Sequence, residues 1–61
     1  MKYSELERML RKAGCWIVEE GGRHTLWYSP ITGKTFPVPR HKSQEGKTGT
    51  VNNILKVAGL K

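Results

Sequence analysis

The stretch Gly21-Gly22-Arg23-His24-Thr25-Leu26-Trp27-Tyr28-Ser29-Pro30-Ile31-Thr32-Gly33-Lys34-Thr35-Phe36-Pro37-Val38-Pro39 decides the fold. His24 to Tyr28 is rich in aromatic and β-branched residues and reads as a strand. Thr35 to Pro39 reads as a second, weaker one. Between them Pro30-Ile31-Thr32-Gly33 is turn chemistry, with Pro fixing φ and Gly free to take φ > 0. Pro37 and Pro39 remove ladder donors on either side of Val38, so the Thr35 strand belongs at a sheet edge. Upstream, Cys15-Trp16-Ile17-Val18 is a short apolar strand and Glu19-Glu20-Gly21-Gly22 the turn that follows it. The middle of the chain is therefore an antiparallel meander with the His24 strand at its centre.

A helix is expected on each side of this meander. Ser4 and Glu7 have the spacing of a capping box, and Leu6, Met9, Leu10 and Ala13 form an apolar stripe that ends before Gly14. Glu5 and Glu7 in the first turn and Arg11 and Lys12 in the last match the helix dipole. After the polar loop from Arg40 to Lys47, Thr48-Gly49-Thr50 opens a second helix with Thr50 as N-cap. Val51, Ile54, Leu55 and Ala58 give its stripe, and Gly59 ends it. The order is α-β-β-β-α, an α+β fold in which two amphipathic helices cover a three-stranded antiparallel sheet. His24, Leu26 and Tyr28 share one face of the central strand; Thr25 and Trp27 share the other. Strand parity alone leaves open which face is covered.

At 61 residues, the chain reads as a single domain over 1–61 with a small core. One cysteine, Cys15, excludes an internal disulfide framework and fits a reducing cytoplasm. No apolar run approaches the ~20 residues needed to span a bilayer, and no signal-peptide pattern opens the chain. Eleven Lys and Arg against five Glu, with no Asp, leave a net charge of +6 and point to a polyanionic partner. That charge is unevenly placed. Met1 to Gly22 is neutral, while from Arg23 onward seven bases face Glu45 alone. The surplus lies in the segment that also holds both histidines.

Elimination narrows the chemistry. A two-metal nuclease wants clustered carboxylates. A zinc site wants more Cys and His than one and two. Cys15, at a helix–strand junction, reads as a small buried residue rather than a nucleophile. No phosphate-cradling Gly loop is present, since Gly21-Gly22 is a hairpin turn. No metal or cofactor is expected. What remains is His24 and His41 amid cations, the minimal kit for metal-independent RNA cleavage. A neutral imidazole can take the 2′-OH proton, an imidazolium can protonate the leaving 5′-oxygen, and fixed cations stabilise the phosphorane. His24, at the start of the central strand, is the candidate. Arg23, Lys34, Arg40, His41, Lys42 and Lys47 are the candidate RNA contacts. Set against this, a strand histidine near a turn is usually a surface residue, and a short charge run is usually a solvated loop. Two other functions share the charge: a non-catalytic double-stranded-RNA-type binding module and a small DNA-binding regulator. Of Trp16, Trp27, Tyr28 and Phe36, at least two are expected in the core.

Taken together, the chain resembles the HicA-type (YcfA-like) mRNA interferase toxins of bacterial toxin–antitoxin systems. The resemblance rests on the first helix ending in Gly14, the turn Gly21-Gly22-Arg23-His24, the segment Pro39-Arg40-His41 and the closing Gly49-Thr50-Val51-x-x-Ile54-Leu55-x-x-Ala58-Gly59-Leu60. It implies a double-stranded-RNA-binding-like α-β-β-β-α fold and an endoribonuclease that cleaves mRNA with one histidine on the sheet, here His24. It further implies a HicB-type antitoxin that covers the active surface. His41 matches a recurrent Pro-Arg-His segment, for which RNA contact or a structural role is implied rather than catalysis. Many relatives have Ser or another small polar residue before the histidine, where this chain has Arg23.

Overall fold

The computed structural model describes residues 1–41 and 43–61. Its elements run α1 (Tyr3–Lys12), β1 (Trp16–Glu20), β2 (His24–Tyr28), β3 (Thr35–Pro39) and α2 (Thr48–Ala58). The sheet is antiparallel in the order β1-β2-β3, with the His24 strand central as the turn chemistry requires. Facing pairs Trp27↔Phe36 and Thr25↔Val38 place these four side chains on one face. All four are buried, so this is the face the helices cover. Leu6 and Leu10 of α1 and Val51, Ile54 and Ala58 of α2 complete the core. Burying each large apolar side chain contributes about 1.5–3 kcal/mol. Cys15 is buried, as expected of a small junction residue.

The prolines of β3 find their place through backbone phase. The Arg40 amide donates to the Arg23 carbonyl (3.2 Å), so even-numbered β3 amides point into the ladder. Pro37 and Pro39 are out of phase with these, and their missing N–H positions face the open edge.

Several boundaries differ from the sequence expectations. Lys2, not Ser4, caps α1: its amide donates to the Glu5 carboxylate (2.9 Å), and Glu7 is instead buried and paired with Arg11 (3.6 Å). The loop before α2 explains the earlier start, because the Tyr3 amide donates to the Gln44 carbonyl (3.1 Å) and α1 begins two residues sooner. Met9, counted in the apolar stripe, is 39% exposed, while Tyr3 takes a core place. The second helix starts at Thr48 with Lys47 as N-cap, not at Thr50, because the Val51 amide already bonds the Lys47 carbonyl (2.9 Å). Glu19 and Glu20 extend β1 rather than forming a turn, pairing with Leu26 and Thr25 across a register shift at Val18.

Both helices run in the same direction across the sheet. Their starts meet near the end of β3, where Glu45 bridges to Lys2. Their ends meet the β2–β3 turn. There the buried Ser29 hydroxyl donates to the Ala58 carbonyl (2.5 Å) and Thr32 donates to that of Val57 (2.7 Å). Gly59, at φ 88, closes α2 where an added Cβ would lie 2.6 Å from Ile31. Only glycine satisfies both the left-handed backbone and that packing.

Candidate RNA-cleaving face

The sheet face opposite the helices carries Trp16, Glu19, His24, Leu26, Tyr28 and Pro37. His24 stands at the first position of β2, exposed, directly after the hairpin turn. The turn is tightly closed: the Gly21 amide donates to the His24 carbonyl at 2.9 Å. A Cβ on Gly21 would lie 2.9 Å from that oxygen, so glycine is needed for this approach. Gly22 has nothing within 4 Å of an added Cβ. The first glycine of the pair is structural and the second is not.

Arg40 locks the hairpin from the neighbouring strand. Its backbone amide bonds the Arg23 carbonyl, and its guanidinium Nη1 donates to the Gly21 carbonyl (2.5 Å). A guanidinium has five N–H donors, and this contact uses one of them. His24, Gly21, Leu26, Pro37 and Glu19 line one depression of about 300 Å³. Glu19 is the residue that sequence reading missed. The register shift at Val18 turns it onto the His24 face, and strand alternation by itself gives no hint of that turn.

The remaining candidates divide by position. Arg23 and Arg40 form the next ladder pair beyond His24 and Pro39, in the alternate side-chain phase, and His41 follows as the chain leaves β3. Lys47 caps α2 at this same end of the molecule, on the helix layer rather than the sheet face. Lys34 is at the far end, in the β2–β3 turn, where its carbonyl accepts from the Ser29 amide (2.9 Å). Lys42 lies outside the described residues. The acid of the second half, Glu45, is paired with the Met1 ammonium and so does little to offset the cations near it. That hydrogen bond raises the pKa of the amine. Both helix N-termini also open toward this end and add positive dipole potential.

Of the large aromatics, Trp27 and Phe36 are core, in keeping with the expectation of at least two. Trp27 carries Arg11 over its ring at 5.2 Å. Trp16 and Tyr28 are on the open face instead, ring centroids 4.8 Å apart and tilted by 44°.

The chain is thus a small basic α+β protein with an exposed histidine on its uncovered sheet face. Residues 3–60 match the family model described as HicA toxin of bacterial toxin–antitoxin systems, and the chain belongs to that family. The family implies an antitoxin partner. No curated protein and no solved structure matches the chain. No helix among the described residues is long and apolar enough to cross a membrane.

Proposed function

We propose that this chain is the toxin of a HicAB-type pair and cleaves mRNA in the cytoplasm without a metal ion. The observation that carries this reading is the exposed His24 on the uncovered sheet face, one ladder step from the Arg23–Arg40 pair. Neutral His24 accepts the 2′-OH proton, and O2′ attacks phosphorus. The imidazolium then returns the proton to O5′ as the P–O5′ bond breaks, leaving a 2′,3′-cyclic phosphate and a 5′-hydroxyl. Arg23 and the free donors of Arg40 stabilise the extra charge on the phosphorane. Arg40, His41, Lys42 and Lys47 guide the phosphate backbone, and Lys34 contacts it farther along. The antitoxin is a HicB-type protein that covers this face and is acidic where it meets Arg40.

The test is incubation of purified protein with RNA in the presence of chelator, for wild type and His24→Ala. Wild type should cut and the variant should not. Undiminished cleavage by His24→Ala removes the assignment, and cleavage only with Mg²⁺ removes the mechanism.

A further inference from the structure

We propose that Trp16 and Tyr28 form a stacking platform for an unpaired RNA base, upstream or downstream of the scissile phosphate held at His24. The proposal rests on the ribonuclease reading above. Trp16 is 52% exposed, whereas the other tryptophan of the chain, Trp27, is fully buried. In so small a core a large aromatic contributes most by burial, so holding one in solvent costs stability unless it is used. Trp16 is also not isolated. It faces Tyr28 across the β1–β2 ladder, with ring centroids 4.8 Å apart, which orients both rings on the open face.

The position relative to His24 is what identifies the occupant. Tyr28 and His24 are on the same strand and the same face, four residues apart, a separation of about 13 Å along a strand. A short stretch of extended single strand covers that distance. Lys34 stands in the turn just beyond Tyr28, at the end of the face away from Arg23 and Arg40. The face thus has an imidazole near one end and an aromatic pair near the other, in a chain of net charge +6. Proteins that hold single strands stack successive bases on exposed aromatic rings, and every base offers a π-face to stack on.

The platform can be tested with a short single-stranded oligoadenylate bound to the His24→Ala protein, which removes cleavage from the measurement. Binding should quench Trp16 fluorescence saturably. The Trp16→Phe protein, whose emission comes from buried Trp27, should show no quench. Trp16→Ala should weaken binding about tenfold or more, and replacing one nucleotide by an abasic residue should cost as much in His24→Ala and nothing further once Trp16 is also Ala. Circular dichroism of each variant reports that the fold is retained. Equal affinity for Trp16→Ala with no quench of Trp16 overturns the proposal. So does a loss of antitoxin binding with RNA affinity unchanged, which would assign the platform to a protein partner. The ribonuclease reading fails separately, by absence of cleavage in the wild type. If that reading holds and the platform does not, cleavage persists in Trp16→Ala with KM unchanged.

Discussion

The guanidinium of Arg40 hydrogen-bonds the carbonyl of Gly21 at 2.5 Å, joining the exit of β3 to the turn that delivers His24. One side chain therefore holds the hairpin and presents positive charge at the candidate site. Arg40→Ala is expected to slow RNA cleavage by about tenfold to a hundredfold, with Arg40→Lys intermediate because a lysine keeps the charge and loses the fork. Hydrogen exchange at the Gly21 amide reports the structural part, and it should quicken in the alanine variant. Unchanged exchange and unchanged cleavage would sink both roles.

The two turn glycines should separate cleanly. Gly21→Ala drives a methyl against the His24 carbonyl, and a cost of about 1–3 kcal/mol with loss of cleavage is expected. Gly22→Ala meets open space and should change stability by no more than about 0.5 kcal/mol. Denaturant melts of the two proteins decide the matter, and equal effects would contradict the described turn.

Ser29 is fully buried, gives its hydroxyl proton to the Ala58 carbonyl and accepts from the Ile31 amide (3.2 Å). Ser29→Ala strands the buried Ala58 carbonyl and removes the acceptor of the part-buried Ile31 amide, for an expected loss of about 1–3 kcal/mol. In a domain this small each kcal/mol moves Tm by roughly 4–8 °C. Thermal melts should show the drop, while the exposed Thr32→Ala should cost less. A Ser29→Ala melt at the wild-type temperature would refute the account.

Glu19 lines the depression that holds His24, the place of the scissile phosphate in the proposed reaction. A carboxylate there repels the substrate, by about 1 kcal/mol at close range in water. Glu19→Gln should tighten RNA binding several-fold at low salt, with the gain fading as ionic strength rises. Binding isotherms across a salt series provide the check. Weaker binding by the Gln variant would mean that the carboxylate supports the site.

The limits of the sequence reading are instructive residue by residue. Turn chemistry at Gly33 and the prolines of β3 identified strand order and the edge strand, because those residues act through their own backbone. Gly14 and Gly59 marked helix ends for the same reason. Helix starts were misplaced because neither Lys2 nor Lys47 offers a capping side-chain acceptor; at α1 the loop carbonyl of Gln44 and the carboxylate of Glu5 take backbone amides instead, and at α2 the Lys47 carbonyl already accepts from the Val51 amide. The covered face was undecidable because apolar residues stand on both sides of β2, and only the packing of Trp27 against the helices resolves it. At the site, His24 was legible from its turn and Arg40 from its charge. Glu19 was not, since its side depends on one extra residue at Val18 that shifts the ladder.

The prolines of β3 and the irregularity in β1 have a shared consequence for what this molecule can assemble with. A sheet grows by adding strands at its margins, and here both margins resist. Pro37 and Pro39 leave the β3 margin without outward amides at alternate positions, while the β1 margin is kinked at Val18 and carries Glu19 and Glu20. Self-propagating strand addition is blocked on either flank. The sheet is left with its broad surface, the one that holds His24, for meeting other molecules, and in the proposed reading RNA and antitoxin compete for that same ground.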